Sequence, residues 1–453
     1  MIKGFKEERN QNSLREISEQ IFIQSQQYQR LINYYASMPT YSYVLLPNKV
    51  IDNVSEDKIK KDFDKASEAM AMLKVRDSFT KIIRRAMIAD IFFGYIYNNK
   101  TSTMIQQFPN EICKISSIEG GVYNFSINLK TFERQESALN YYPEEVKVAY
   151  KKMKIMKNNK SKNKKDISEW YELSAENSIC IKINEGIIEP VPPFSGVFDS
   201  VYDINAFKDL RNDKAELENY KLIVQNLPLR KSNDNNDFAI DLPMMNYFHN
   251  ALADVAPSNV GVATSPMEIE VITFDKDTAD RDGVAKANRD FWDSSGTTQN
   301  LFSSDNKTSQ GIAKSIETDE QVIFTILGQV ERWINRYLTL NKLSKYFSCK
   351  MLDVTHFSKG DAIKTFTDSG NFGFSTRLIV GSILGIEPIA FKGLNYLENK
   401  VLKLDEEMIP LKSSFNTGTN DIQNEGGRPT NEDSGIEDSD ETQRARDKPD
   451  NIE

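Results

Sequence analysis

The chain is poor in the residues that most often do chemistry. Its three cysteines, Cys113, Cys180 and Cys349, are scattered over 453 residues. They form no C-x-x-C pair and are odd in number, which argues for buried or incidental thiols rather than a disulfide frame or a metal cluster. Histidine is scarcer still. His249 and His356 are the only two, and neither has a second histidine at helical spacing, so a histidine-based zinc site is not expected. No G-x-x-x-x-G-K-[S/T] stretch is present to cradle phosphates. No G-x-S-x-G elbow and no H-E-x-x-H pair is present either. The run DKDTADRDG, residues 275–283, looks superficially like a calcium loop. It fails because Ala279 falls at a ligand position and Lys286 stands where the closing glutamate belongs. The pair Glu406-Glu407 is ordinary helix-surface acid, and GGRP at Gly426–Pro429 reads as spacer. No enzymatic activity and no cofactor are expected.

Two further deficits bear on class. No apolar run is long enough to span a bilayer. The opening MIKGFKEERNQNSLREI has no apolar core of the secretory kind, which fits synthesis and function in a cytoplasm. Positive charge is also in deficit, with 57 Lys and Arg against 66 Asp and Glu, a net of −9. A domain that clamps DNA tightly is usually basic. An acidic balance suits a surface past which DNA slides, because few neutralised phosphates means weak sticking.

What remains is helix pattern, some strand, and polar loop. Residues 13–38 predict a helix, with Ser13 and Glu16 as a capping box and Ile17, Ile21, Tyr28, Leu31 and Ile32 near helical spacing. Pro39 ends it, and MPTYSYVLLP follows as an extended segment. Residues 55–98 read as helices, started by Ser55, with Ala69, Met72, Val75, Phe79 and Ile82 as a stripe and MIADIFFGYIY as a very apolar continuation. From there to Phe132 the pattern turns to strands, with a hairpin signal at Gly120-Gly121. Residues 143–165 begin as a helix and end in KKMKIMKNNKSKNKK, eight lysines in fifteen residues. That run reads as an exposed mobile loop or as a contact for nucleic acid or an acidic partner. No aromatic is interleaved to stack on bases. EWYELSAENSICIKINEG reads as two strands.

Residues 199–224 predict a helix capped by Asp199, with Val201, Ile204, Phe207, Leu210, Leu217 and Tyr220 on one stripe and charge on the other face. Residues 225–274 read as a small α/β insertion, with KLIVQNLPL and MEIEVITF as strands and LPMMNYFHNALADV as a helix ended by Pro257. Residues 275–293 predict a charged helix with a thin stripe of Ala279, Val284, Ala287 and Phe291. Residues 294–310, SSGTTQNLFSSDNKTSQ, are polar around one apolar pair, Leu301-Phe302. A structureless stretch of that length inside a globular region is often functional. A long helix follows from Gly311 to Leu340, with a 3.6-residue stripe from Ile312 to Leu338 and Gly328 as a place for a bend. Residues 343–374 read as mainly extended, STRLIVGSILG and AFKGLNYLENKVLKLDEEM as two short helices. Residues 419–453 have too few large apolar side chains to order themselves.

The order of these elements resembles that of tailed-bacteriophage portal proteins of the type found in siphophages of Gram-positive hosts, over roughly Glu19 to Gly418. Three pieces carry the resemblance. QQYQRLINYYASMP is similar to the start of a portal wing. PPFSGVFDSVYDINAFKDLRNDKAELENYKLIVQNLPL is similar to a first stem helix entering a clip. FWDSSGTTQNLFSSDNKTSQGIAKSI is similar to the end of a second stem helix, a tunnel loop and the start of the long wing helix. The resemblance implies an α+β portal fold: wing 1–198, first stem helix 199–224, clip 225–274, second stem helix 275–293, tunnel loop 294–310, long helix and remaining wing 311–374, crown 375–418, and a disordered acidic tail 419–453.

It also implies a homo-oligomeric ring, a dodecamer, at the capsid portal vertex of the virion, assembled in the host cytoplasm. Double-stranded DNA would pass through it without sequence specificity during packaging and ejection. Its partners would be the terminase large subunit, the major capsid protein and scaffold, and the head-tail adaptor, with no membrane. The channel would be lined by Ser294, Ser295, Gly296, Thr297, Thr298, Gln299, Asn300, Leu301, Phe302 and Lys307. Lys276, Arg281, Lys286 and Arg289 would ring the stem interior, or else pair with acids or face solvent. Another virion structural protein, a scaffold or adaptor, shares the helical stripes but needs no long loop between two helices. A metal-dependent nuclease would need a carboxylate cluster, and none has convincing spacing.

Overall fold

The structure is a computed structural model and describes residues 7–49, 52–99, 101–158, 168–219, 221–228, 230, 237–257, 260–265, 282–297, 301–302 and 309–404. The fold is mixed α+β, with small separate sheets among helices, as the sequence predicts. The chain divides into two units, Met1–Gly393 and Leu394–Glu453. Of the second, only residues 394–404 are described. They hold the end of a short helix and the single π turn Leu397–Val401.

The N-terminal stripe makes two helices, not one: α1 (Glu8–Gln24) and α2 (Gln26–Ser37). Ser25 is extended and serves both ends. Its N–H donates to the Ile21 carbonyl at 2.8 Å, and its hydroxyl accepts from the Tyr28 N–H at 3.3 Å. One residue thus satisfies orphan groups of both helices. Ser13 caps nothing. It lies inside α1, where its hydroxyl donates back to the Arg9 carbonyl at 3.1 Å.

After strand β1 (Tyr43–Pro47) come α3 (Glu56–Leu73) and α4 (Val75–Ala89), separated by Lys74 in the left-handed region at φ 46°. Ser55 stands at the N-cap of α3 without a side-chain bond. The apolar continuation is not helical. Asp90, at φ 69°, turns the chain into strand β2 (Ile91–Asn98). That strand is central in the sheet β3–β2–β7, with β3 (Thr103–Gln107) and β7 (Ser178–Lys182) antiparallel on either side. At Gly94 in its middle a Cβ would stand 2.6 Å from the Phe92 ring and 3.0 Å from the Gln106 carbonyl oxygen, so only glycine fits.

The turn at Asp90 is held by a buried ion pair. Its carboxylate accepts from the Lys182 ammonium and from the backbone N–H groups of Asn184 (2.8 Å) and Val191 (3.2 Å). Both side chains of the pair are essentially fully buried. With its partner and its hydrogen bonds in place, such a pair is tolerated; broken, it is costly.

A second sheet has the order β4–β5–β6, from β4 (Cys113–Glu119), β5 (Val122–Asn128) and β6 (Trp170–Glu172). The expected hairpin turns at Gly120 (φ 57°) and Gly121 (φ 75°), both positive as a two-residue turn requires. The two strands expected in 169–186 are β6 and β7, in different sheets. Helix α5 (Glu144–Asn158) takes up the first part of the lysine run. There Lys154 donates to Glu136 at 3.0 Å and Lys157 to Glu133 at 2.7 Å. Residues 159–167 lie outside the described residues.

Residues 198–297 leave the main core and return. Helix α6 (Phe198–Asn219) begins one residue before Asp199, which therefore sits in its first turn. The helix stops short of 224, because β8 (Lys221–Asn226) has already begun. Helix α7 (Leu242–Val255) and strand β9 (Val260–Ser265) follow, and β9 pairs parallel with β8. Strand β9 was not foreseen, and MEIEVITF lies outside the described residues. Helix α8 (Asp282–Ser295) packs beside α6. Gly283 allows the approach, since a Cβ there would meet the Phe207 ring at 3.1 Å.

Helix α9 (Ser309–Leu340) runs 32 residues without a break at Gly328, about 48 Å at 1.5 Å per residue. Its stripe is the spine of the main core: Ile323, Ile326, Leu327, Val330, Trp333 and Ile334 are buried with Phe79, Ile83, Leu31 and Tyr28 from α4 and α2. Each such side chain contributes roughly 1.5–3 kcal/mol by leaving water. Trp333 donates its indole N–H to the Ser178 carbonyl at 2.9 Å. Farther along, Arg332 donates to the Gly121 carbonyl at 3.0 Å and Arg336 to Asn124 at 2.6 Å, tying the β4–β5 hairpin to the helix. Strand β10 (Phe347–Met351) pairs antiparallel with β1. The stretch after it is not extended. Residues Lys359–Asn371 form helix α10, whose Ala362, Ile363 and Phe366 pack on Val44, Leu352, Val354 and Ile383. Helix α11 (Arg377–Leu384) matches the first of the two short helices expected; of the second, expected over 390–408, α12 (Pro388–Tyr396) covers only the first part, and 405–408 lie outside the described residues.

Candidate functional site

The connection between α8 and α9 is fixed at its root. Ser294 and Ser295 are not loop residues; they form the last turn of α8. The Ser295 hydroxyl donates to the Trp292 carbonyl at 2.7 Å and accepts from the Thr297 N–H at 3.2 Å. Gly296, at φ 75°, turns the chain out of the helix, as helix C-termini commonly require. Thr297 is then only 1% exposed. Its hydroxyl shares a 3.0 Å hydrogen bond with that of Tyr35 on α2.

A buried acid completes the anchor. The Asp319 carboxylate on α9 accepts from the Tyr35 hydroxyl at 2.9 Å and from the Tyr34 hydroxyl at 3.0 Å. Burial pushes the Asp319 carboxyl above its ordinary range, and the two tyrosine hydrogen bonds oppose that shift. Burial also raises both tyrosines, with the nearby Asp319 charge adding to the effect. Both phenols stay protonated near neutrality and donate to the Asp319 carboxylate, which ties α2 to α9. One residue on, the Glu320 carboxylate accepts from the buried Thr355 hydroxyl.

The apolar pair at the centre of the loop is not a free tip. Phe302 is half-buried and stacks on Trp292 with ring centroids 4.2 Å apart and planes at 19°. Its ring meets Tyr34 edge-on at 5.4 Å, and the Arg30 guanidinium lies 5.0 Å from its centroid. Leu301 is half-buried beside it. Thr297 and Phe302 are thus two anchors five positions apart. Of the remaining residues named for the channel, Thr298, Gln299, Asn300 and Lys307 lie outside the described residues, as do Lys276 and Arg281. Lys286 and Arg289 are described. Both are exposed on α8 and make no ion pair with a described residue.

The sequence reading missed Arg30, Tyr34, Tyr35 and Asp319. Only Asp319 left a signal, because it interrupts the apolar stripe between Ile316 and Ile323 on the face of α9 that turns inward.

The excursion from α6 to α8 presents a second feature. Along α6 only Phe198, Val201 and Ile204 are buried in the described part, while Phe207 and Leu210 are 41% and 62% exposed. On α7 no residue is buried. Tyr247 is 69% and Val255 83% exposed, with Leu242, Met244 and Phe248 also open. His249 holds α7 to β9 by a 2.9 Å hydrogen bond between its Nδ1 and the Thr264 hydroxyl. Among the described residues, nothing covers the apolar side chains of α7.

No family model and no curated protein matches the chain. Among solved structures, a chain in the virion of a native gene transfer agent particle is similar to it at TM-score 0.44 and 11% identity, over 82% of this chain and 93% of that one.

Proposed function

We propose that this protein is a structural subunit of a phage-like virion, and within that class a portal subunit. Many copies close into a ring at one capsid vertex, and double-stranded DNA passes through it. The observation that carries this reading is the excursion α6–β8–α7–β9–α8. Two helices packed side by side lead to and from a small module whose one helix, among the described residues, buries nothing. A lone subunit gains nothing from an apolar, uncovered α7. Copies arranged side by side cover it. The anchored connection from α8 into the long α9 follows in the order that the portal resemblance requires. Exposed Lys286 and Arg289 on α8 supply cations that phosphates can touch without base readout.

On this reading the ring docks the packaging motor and the head-tail adaptor by its α7 module. No catalytic role is assigned to any residue. Purified protein imaged by negative stain is expected to show rings with a central hole. Replacing Tyr247 and Phe248 by glutamate is expected to leave folded subunits that no longer close. Compact monomers or dimers at every concentration refute the ring. A ring that assembles but retains DNA normally after removal of residues 303–306, which spares both anchors, refutes the role given to the connection and leaves a scaffold or adaptor as the surviving reading.

A further inference from the structure

Away from the α8–α9 connection, a cavity of about 820 Å³ opens between α1, α4 and the strands β2 and β3. Its floor is apolar, built by Phe22, Ile82, Ile88, Phe92 and Ile105. Its rim is cationic, with Lys74, Lys81, Arg84 and Arg85 against two acids, Glu19 and Asp77. A second opening of about 450 Å³ shares Lys81 and Arg84 and adds Arg76 and His356. The cationic side of α4 therefore runs across both.

These cations are unspent. Lys81 and Arg85 are exposed and make no ion pair or hydrogen bond with a described residue. Arg84 is half-buried, and its Nε is a buried donor without a hydrogen-bond partner among the described residues. A donor left in that condition costs roughly 1–3 kcal/mol. A carboxylate arriving at the rim meets the exposed Lys81 and Arg85 with charge-assisted bonds. Several like charges held together on one face also repel, and an anion removes that repulsion.

We infer that this cavity binds an acidic segment of a partner protein, one apolar side chain seated on the Phe22, Ile88 and Phe92 floor and flanking carboxylates on Arg84, Arg85 and Lys81. Charge complementarity sets the sign of the partner, and the floor sets its class. Phosphates of a duplex have no use for a concave apolar floor. Glu19 and Asp77 at the rim repel a continuous line of phosphates more than they repel spaced carboxylates. A short peptide fits both features, because alternate side chains of an extended segment can enter a pocket and contact its edge. The inference is independent of ring formation.

The test uses the full chain and a fluorescein-labelled synthetic peptide with one isoleucine between acidic pairs, read by anisotropy. Saturable binding is expected. Replacing the peptide isoleucine by serine weakens it about ten- to a hundredfold, the range of one buried apolar side chain. The double variant Lys81→Glu/Arg85→Glu, both at exposed positions that leave the core intact, abolishes it. Circular dichroism of that variant is expected to match the parent. Binding that ignores the isoleucine, or that survives the double variant, overturns the proposal. A DNA duplex of equal charge that displaces the peptide at lower concentration assigns the surface to nucleic acid instead and also overturns it. A full chain in which Glu432, Asp433, Glu437, Asp438, Asp440 and Glu441 are replaced by their amides, and which then binds the peptide tenfold more tightly, assigns the site to the chain's own acidic residues and overturns the partner as its source.

Discussion

Removal of the Phe302 ring gives a test of the anchored connection that does not depend on any partner. In Phe302→Ala the ring loses the Trp292 stack at 4.2 Å, the edge contact with Tyr34 at 5.4 Å and the Arg30 guanidinium at 5.0 Å. Each aromatic pair is worth about 0.5–1.5 kcal/mol beyond burial, and an exposed cation over a ring about 0.5–1 kcal/mol. The ring is half-buried, so part of its burial energy goes as well. A loss of about 2 to 3 kcal/mol follows. It is local, because Phe302 lies at the edge of the main core and the α9 stripe does not need it. Hydrogen exchange read by mass spectrometry is the suitable assay. Amides of Gly296, Thr297, Leu301 and Phe302 are expected to exchange some thirty- to a hundredfold faster, at about 1.4 kcal/mol per tenfold. Amides of the α9 core are expected to keep their rates. Unchanged exchange at those four positions refutes the anchor, and equal acceleration throughout shows that Phe302 belongs to the global core.

Other changes probe the surrounding frame. Asp319 titrates above the ordinary carboxylate range in the folded state, so its contribution is full below the unfolded value and falls as pH rises through the folded one. Asp319→Asn should therefore gain stability relative to the parent as pH rises from about 4 toward neutrality. A denaturation series in which the difference between the two proteins stays constant with pH contradicts this. Gly94→Ala places a methyl 2.6 Å from the Phe92 ring; overpacking of about 1–3 kcal/mol should lower the melting temperature by several degrees, and an unchanged melt refutes the packing argument. Lys182→Met leaves the Asp90 carboxylate buried without its cation and should cost about 3–5 kcal/mol. Adding Asp90→Asn should recover much of that loss, and strict additivity of the two changes argues against a coupled pair.

Legibility in the sequence followed period. Helix α9 could be read because about nine turns repeat one apolar stripe, and the β4–β5 hairpin because Gly120-Gly121 has a local requirement for positive φ. Strand β2 could not be read. Ile91 to Ile96 is buried on both faces save for the half-buried Tyr95, so the run carries no period and looks like more helix. The break at Ser25 is equally silent, since the stripe continues in phase across it. Helix α10 has only a thin stripe among Gly, Asp, Ser and Thr, and it forms because β1 and α11 offer a surface for it. The anchors at Thr297 and Phe302 depend on Tyr34 and Tyr35, more than 250 positions away, and no local pattern reports such a meeting.

One consequence belongs to α9 itself. Near its start, Asp319 takes the tyrosines that hold the α8 connection; fourteen residues later Trp333 is bonded to β7, with Arg332 and Arg336 fastened to the hairpin around it. Those points are about 21 Å apart along one unbroken rod. A tug on the strand of chain that holds Phe302 therefore cannot be absorbed by local bending. It is delivered lengthwise as tension to two sheets at once, and the helix behaves as a tie-bar.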